Sequence, residues 1–440
     1  MIYFGTDGIR GTVGKGITQE LAFRCGNALG TLKKHMKILI ATDTRTSADF
    51  LLCSFASGAL MTGANITFIG VAPTPVVSFL TRTKKFDYGV MITASHNPPA
   101  DNGIKIFNNQ GEKIDVNTQT MIEKNFAKQK MTNALELGKI KYKPKLLAEY
   151  LKFVEKNCVD LSGLKVVLDL SNGTSVQTAP EIFEKLGAEV IVINASQNGK
   201  LVNKNCGALH PEGLAQVVKE QQANIGFAFD GDADRIILVD ENGNICNGDQ
   251  ITLFFANMYQ KFGLMQSKKV VATILSSFNL QTELQKLGLE LVRTDVGDHN
   301  VEKELSKQKL QIGGEQAGHI ILYDYERTGD GVFCATQICK FLKLTSKPIS
   351  DLLFYDFCPQ HSKNIITEKK YEIVNSLEFK TAVEGCEKLL QNRGRIITRA
   401  SGTEDMIRIM IEHNDTNLIY QIFEKLEKII KEFWCHKYLY

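Results

Sequence analysis

A chain of 440 residues is more than one hydrophobic core organises, so it divides into several domains. With 43% hydrophobic and 23% charged residues it has the ordinary balance of a soluble globular protein. A formal net charge of +3 is small for this length and gives no argument for a nucleic-acid or membrane partner, and none is expected, yet basic groups could still gather in a cleft around an anionic substrate.

The first part alternates strand and helix. Residues 37–42 read as a strand ending at Asp43-Thr44-Arg45, 50–62 as a helix and 66–70 as a second strand. Ala72-Pro73-Thr74-Pro75 opens another helix, and the apolar Tyr88-Gly89-Val90-Met91-Ile92 is a strand leading to Ser95. Such alternation implies a mostly parallel sheet covered on both faces. Basic residues 139–145, with Pro144 among them, read as a linker before a helix at 146–156. The pattern then restarts. Strands are expected at 164–170, 189–193 and 225–229, with helices at 179–186 and 214–221. A third unit follows Asp249, with helices at 250–262, 280–287 and 299–306 and strands at 269–275, 289–294 and 310–313. The end differs: 395–398 and 406–411 are short strands around a polar loop, and 418–433 is one long amphipathic helix, with Trp434 packing at its end. Three similar mixed or parallel-sheet α/β domains are expected at 1–145, 146–248 and 249–358, with a smaller α+β domain at 359–440.

The ten cysteines show no C-x-x-C pair, a pattern of free thiols in a reducing compartment, and Cys334 and Cys339 fall in an apolar helix pattern. No basic stretch followed by an apolar one opens the chain, and no apolar run reaches spanning length. The expected location is the cytoplasm.

Five stretches carry chemistry. Thr93-Ala94-Ser95-His96-Asn97-Pro98 follows a strand, so Ser95 sits past its carboxyl end, where open α/β sheets bind ligands. Asp230-Gly231-Asp232-Ala233-Asp234-Arg235 places three carboxylates within five residues, which repel one another unless a cation joins them. Hard oxygen donors favour Mg²⁺ or Ca²⁺. The run is not an EF-hand, because Arg235 stands where that loop needs glycine and a strand follows at once. Three aspartates leave the shell of Mg²⁺ incomplete, to be filled by waters or a phosphate. Arg399-Ala400-Ser401-Gly402-Thr403-Glu404, between two strands, suits a phosphate nest, to which Arg408 adds a second guanidinium. Gly313-Gly314-Glu315-Gln316-Ala317-Gly318-His319 follows a strand, and Glu315 and His319 suit sugar hydroxyls or an amino group. In Gly5-Thr6-Asp7-Gly8-Ile9-Arg10-Gly11, Arg10 is the candidate cation for phosphate, and Lys105 lies ten residues past Ser95.

Together, in this order and over nearly the whole chain, these stretches resemble the α-D-phosphohexomutase family, most closely its bacterial members that act on glucosamine phosphates. The resemblance implies four domains around one central cleft. It implies that Ser95 carries the phosphoryl group, and that Asp230, Asp232 and Asp234 hold Mg²⁺ with an oxygen from phosphorylated Ser95. Arg10, His96 and Lys105 become cleft residues at the transfer site. Arg235, Glu315 and His319 become sugar-binding residues, while Arg399, Ser401, Gly402, Thr403 and Arg408 grip the non-reacting phosphate. The implied reaction interconverts glucosamine 6-phosphate and glucosamine 1-phosphate through a sugar bisphosphate, feeding UDP-N-acetylglucosamine and cell-wall synthesis. Glucosamine 1,6-bisphosphate or glucose 1,6-bisphosphate is the implied activator, a sugar phosphate the only partner besides a second copy in a homodimer, and the general base is left open among Lys105, His96 and His299.

Three departures bear on substrate preference and rate. Ala317 stands where the glucosamine enzymes carry serine, at a cost of about 0.5–1.5 kcal/mol for a lost neutral hydrogen bond. Ala400 and Asp405 replace two prolines of the terminal loop, and Asp405 adds negative charge beside the phosphate site. His299 replaces a permanent cation with one that is charged only part of the time near neutral pH. The alternatives are a glucose or mannose phosphate mutase, a Mg²⁺-dependent sugar phosphatase and a non-enzymatic sugar-phosphate sensor.

Overall fold

Runs such as Lys37-Ile38-Leu39-Ile40-Ala41-Thr42 are apolar nearly throughout, which suits a strand covered on both faces, and this one is buried from its second residue on. The structure is a computed structural model that describes residues 3–5, 7–126, 131–353, 357–391, 393–401 and 405–435, without the side chains of Trp434 and Cys435. The expected packing of Trp434 therefore lies outside the described residues, as do Gly402 and Thr403. Two units are present: Met1–Ile274 with Leu289–Phe354, and Leu275–Gly288 with Tyr355–Tyr440.

The first unit holds three sheets. Strands β1 (Ile9–Thr12), β2 (Lys37–Thr42), β3 (Asn65–Val71), β4 (Tyr88–Ile92), β5 (Asp101–Asn108) and β6 (Ile140–Tyr142) lie in the order β1-β5-β4-β2-β3-β6. Helices α1 (Gln19–Gly30), α2 (Ala48–Leu60) and α4 (Val116–Phe126) share a core with Ile38, Ile40, Val90 and Ile92, while α3 (Thr74–Thr83) packs on β2 and β4. At the α1–α2 crossing a Cβ on Gly26 would stand 2.0 Å from the Phe55 carbonyl oxygen, so only glycine lets the backbones meet. After α5 (Leu147–Lys156) come β7 (Lys165–Asp169), α6 (Ala179–Lys185), β8 (Glu189–Ile193), α7 (Glu212–Glu220), β9 (Ile225–Phe229), β10 (Ile236–Asp240) and β11 (Ile245–Cys246). Their sheet runs β11-β10-β9-β7-β8. The third sheet, β13-β12-β14-β15, comprises β12 (Lys269–Thr273), β13 (Glu290–Thr294), β14 (Ile312–Gly314) and β15 (Ile320–Leu322). Helices α8 (Gly248–Lys261), α10 (Asp298–Gln308), α11 (Gly331–Thr345) and α12 (Ile349–Leu352) go with it, and Asn247 and Gln250 close a capping box on α8.

Helix α9 (Phe278–Lys286), in the segment 275–288, groups with the second unit. There Ser277 Oγ donates to Glu412 at 2.6 Å and the Phe278 amide at 2.9 Å, while Arg395 Nε donates to the other oxygen of the same buried carboxylate. The rest of this unit is the antiparallel sheet β16-β18-β17, made of β16 (Gln360–Ile366), β17 (Arg395–Ala400) and β18 (Met406–Glu412), with α13 (Lys370–Asn375), α14 (Leu377–Leu389) and α15 (Thr416–Cys435).

Each of the first three sheets has a parallel core that continues into antiparallel pairing on one side, so they are the mixed sheets expected. The basic stretch 139–145 is not merely a linker, because Ile140–Tyr142 adds a parallel edge strand to β3. Strand β16 and helices α13 and α14 had no expected counterpart. Cys25, Cys53, Cys158, Cys206, Cys246, Cys334, Cys339 and Cys386 are free thiols, and among the described residues no helix is long and apolar enough to cross a membrane.

Candidate active site

Strand β4 ends at Ile92, and Ser95 follows with its backbone in the left-handed region, φ +52°. Its side chain is buried, and its hydroxyl donates to Asp230 Oδ2 at 2.6 Å, with His96 Nδ1 3.4 Å away. Asp230 closes β9, and the turn that follows carries Ala233 at φ +57° before β10 begins. That curl brings single oxygens of Asp230, Asp232 and Asp234 within 4.8 Å of one another, all three residues buried.

Such a cluster holds together only with positive charge close by. Lys105 supplies part of it. Strand β5 pairs antiparallel with β4, setting Lys105 opposite Met91, and its ammonium donates to Asp232 Oδ2 at 2.8 Å and Asp234 Oδ2 at 2.7 Å. Burial works against the Lys105 charge, but these two carboxylates outweigh it and raise its pKa. Asp230 has no such partner: burial, with the Asp234 and Asp232 charges, pushes it well above the usual carboxylate range. Thr74, opening α3, donates its hydroxyl to Asp232 Oδ2 at 2.5 Å. Asp232 Oδ1 is buried with no hydrogen-bond partner among the described residues. Hard oxygens, an orphaned carboxylate atom and surplus negative charge fit a divalent cation.

A second ring of charge surrounds the first. Arg10 on β1 pairs with Asp7 and reaches Asn97 Oδ1 at 3.4 Å. Lys113 donates to Asp298 and lies 2.7 Å from Asp7 Oδ1, and burial notwithstanding it holds Asp298 well below the ordinary carboxylate range. The Arg235 amide donates to Asp230 Oδ1 at 3.1 Å. Burial lowers the His96 pKa to about 3, with the Arg235 and Arg10 charges acting the same way, so its imidazole is neutral at physiological pH. His299 is also lowered, by burial and by Lys113, and gives no permanent cation.

Glu315 follows β14 and accepts the Gly297 amide at 3.1 Å. Ala317 is exposed at the tip of the same turn. His319 is buried. Its Nε2 accepts the Gly329 amide at 3.0 Å and its Nδ1 lies 3.7 Å from Asp234 Oδ1, so its contacts are with the carboxylate cluster.

The terminal loop belongs to the second unit. Arg399 on β17 is directly opposite Arg408 on β18, so two guanidiniums share one face, an arrangement that repels unless an anion joins them. Partial burial and the Arg408 charge lower the Arg399 pKa. Ser401 is buried, its amide donating to the Met406 carbonyl at 2.9 Å. The negative charge expected from Asp405 is answered by Lys370 Nζ at 3.3 Å.

Sequence reasoning singled out Ser95, His96, Lys105, Arg10 and the three aspartates, and all of them meet within the first unit. It passed over Asp7, Thr74, Lys113 and Asp298. Asp7 and Thr74 stand inside quoted stretches and Asp298 next to His299, whereas Lys113 carried no local signal.

Known proteins match nearly the whole chain. Residues 1–133, 148–243 and 247–357 match phosphoglucomutase/phosphomannomutase alpha/beta/alpha domains I, II and III, and 363–429 match the C-terminal domain. The chain is 40% identical over 440 residues to the phosphoglucosamine mutase of Carboxydothermus hydrogenoformans, covering 98% of this chain and 99% of that protein. Against the phosphoglucosamine mutase of Thermotoga neapolitana the identity is 42% over 434 residues, with the same coverage. Among solved structures, a phosphoglucomutase/phosphomannomutase family protein of Burkholderia thailandensis superposes with TM-score 0.82 at 22% identity, over 97% of both chains. The N-acetylphosphoglucosamine mutase of Aspergillus fumigatus, in complex with GlcNAc-6P and magnesium, gives TM-score 0.67 at 16% identity, over 98% of this chain and 96% of that one.

Proposed function

The chain belongs to the phosphoglucomutase/phosphomannomutase family, and on that premise we propose that it interconverts glucosamine 6-phosphate and glucosamine 1-phosphate. The observation that carries the reading is the Ser95 hydroxyl donating at 2.6 Å into a buried triad of aspartates. Serine alone is a weak nucleophile, but phosphorylated it is a donor. The P–Oγ bond of phosphoserine breaks as the bond to a sugar hydroxyl forms, and the hydroxyl proton leaves to a base. The resulting bisphosphate turns round, and its other phosphoryl group returns to Ser95 Oγ.

Asp230, Asp232 and Asp234 would hold a magnesium ion, which when bound neutralises charge on the transferring oxygens. Lys105, Arg10 and Arg235 add fixed positive charge around them. Lys105 is held charged by two carboxylates and serves as a cation rather than a base, and the neutral imidazole of His96 stands 3.4 Å from Ser95 Oγ, beside the transfer site. Glu315 suits the sugar, and Arg399, Ser401, Gly402, Thr403 and Arg408 suit its non-reacting phosphate. A sugar 1,6-bisphosphate would prime Ser95. This chemistry needs neither nucleic acid nor membrane and suits the cytoplasm.

Losing one charge-assisted contact to phosphate costs about 1.5–3 kcal/mol. Arg408→Ala is therefore expected to raise KM for the sugar phosphate about 10- to 100-fold, with a smaller change in kcat. Steady-state kinetics decide it, and an unchanged KM would remove Arg408 from the phosphate site.

The reading is tested by a coupled assay with Mg²⁺ and a trace of sugar bisphosphate, offering glucosamine, glucose and mannose 6-phosphates. Preferential formation of glucosamine 1-phosphate is expected. A preference for glucose or mannose phosphate would keep the mechanism and change the substrate. Steady phosphate release with no 1-phosphate would replace the mutase by a phosphatase.

A further inference from the structure

We propose that Arg45 and Asn203 are positioning residues for phosphoryl transfer, clamping the Ser95 carbonyl so that the Ser95 hydroxyl stays aimed at Asp230. The inference rests on Ser95 carrying the phosphoryl group.

The Arg45 side chain is fully buried at the end of β2. Its Nε donates to Asp43 Oδ2 at 2.9 Å. Nη2 donates to the carbonyls of Ser95 at 2.9 Å and Asn97 at 2.7 Å, and Nη1 to that of Asp101 at 2.9 Å and to that of Pro98. A guanidinium has five N–H donors in a rigid fork. All five are used here, three of them on carbonyls of the loop that bears Ser95 and one on the carbonyl of Asp101, where β5 begins.

Asn203 reaches the same loop from the second sheet's side of the unit. Its Nδ2 donates to the Ser95 carbonyl at 2.8 Å and to that of Asn97 at 3.3 Å, and its own backbone is left-handed, φ +56°. The Ser95 amide donates to Thr93 Oγ1 at 2.9 Å, and Thr93 Oγ1 donates to the same Asp43 oxygen that Arg45 holds. Both peptide groups of Ser95 are thus tied back to Asp43 and Arg45. On the far side, a Cβ on Gly231 would stand 2.7 Å from the Ser95 carbonyl oxygen and 2.9 Å from Asn203 Nδ2. The clamped carbonyl is therefore wedged against the aspartate turn itself.

Serine does not hold φ +52° unaided. Released, the residue relaxes towards negative φ, which swings Cβ and carries Oγ away from Asp230. Phosphoryl transfer is mostly positioning, so such a swing slows transfer to the sugar and leaves the phosphoserine open to water.

The full chain, wild type, N203A and R45K, is assayed with glucosamine 6-phosphate after its folded fraction has been measured by thermal melting. Steady-state kinetics are joined by single-turnover partition of the Ser95 phosphoryl group between sugar and water. The expected result is kcat per folded molecule lower by about 10-fold in N203A and about 100-fold in R45K, KM within about twofold of wild type, and a larger share lost to water. Lysine has three donors and no fork, so R45K cannot rebuild the clamp. Wild-type kcat and partition in N203A overturn the proposal, whether or not R45K folds, and so does a lower melting temperature with kcat per folded molecule intact. If wild type itself makes no 1-phosphate, the mutase reading falls instead.

Discussion

Ser95→Ala is expected to abolish mutase turnover, by on the order of 10⁴-fold or more, in a protein that still folds. The hydroxyl is the only atom of the loop positioned to accept a phosphoryl group beside the aspartate triad, at 2.6 Å from Asp230. Alanine leaves the bisphosphate with no enzyme oxygen to exchange with, so both half-reactions stop together. The structural cost is small by comparison. One buried carboxylate oxygen loses its donor, worth about 1–3 kcal/mol, while the backbone of the loop keeps its own hydrogen bonds. Three measurements check this: 1-phosphate formation, incorporation of labelled phosphate from sugar bisphosphate, and the melting curve. A variant that keeps more than about one part in a hundred of wild-type turnover would show that the phosphoryl group travels by another route.

Lys105→Met is expected to cost both stability and activity, and the two losses should respond differently to magnesium. The ammonium is buried and donates to Asp232 and Asp234, with Asp7 Oδ2 at 3.3 Å. Removing one partner of a buried ion cluster typically costs about 3–5 kcal/mol, because the remaining charges are left uncompensated. Urea unfolding in the presence of a chelator reads that loss. Added Mg²⁺ should return part of the stability, since a cation that binds only the folded chain stabilises it in proportion to the logarithm of its saturation. It should not return kcat, because the fixed charge beside the transferring group is gone. Lys105→Arg is expected to rescue neither fully, as a planar fork does not fit a site shaped for a point charge. Equal stability of Lys105→Met and wild type without metal would mean the ammonium is not what holds the carboxylates together.

The roles of the candidate residues divide once their surroundings are known. His319, expected at the sugar, also stands beside the triad, with Nε2 accepting from the Gly329 amide and Nδ1 3.7 Å from Asp234 Oδ1. Glu315 remains the residue of that turn suited to the sugar. Asp405 was expected to repel phosphate, and Lys370 answers its charge. His299 is less able to carry charge than its ordinary pKa suggests, since it is buried beside Lys113. These differences share one cause: a side chain's charge and reach depend on neighbours that its own stretch of chain does not contain.

The sequence alone determined the strand–loop units that carry Ser95, the aspartate triad, Glu315 and the terminal arginines. In each, an apolar run is followed at once by polar or small residues, and local sterics and hydrophobic burial suffice to place a loop at a strand end. Strands 37–42, 88–92 and 225–229 were legible to the residue because both their faces are buried, and the partly exposed strand 189–193 was legible from its unbroken β-branched run Val190-Ile191-Val192-Ile193. Edge strand β6 and strand β16 were not, since exposed or half-covered strands carry few apolar residues. Only the tertiary structure decided which charges meet. Thr74 reaches Asp232 across 158 residues, Lys113 reaches Asp298 across 185, and Lys105 reaches Asp234 across 129. No local preference encodes such pairs. They form because packing the sheets brings buried charges together, and a charge taken out of water must find its partner wherever the fold supplies one.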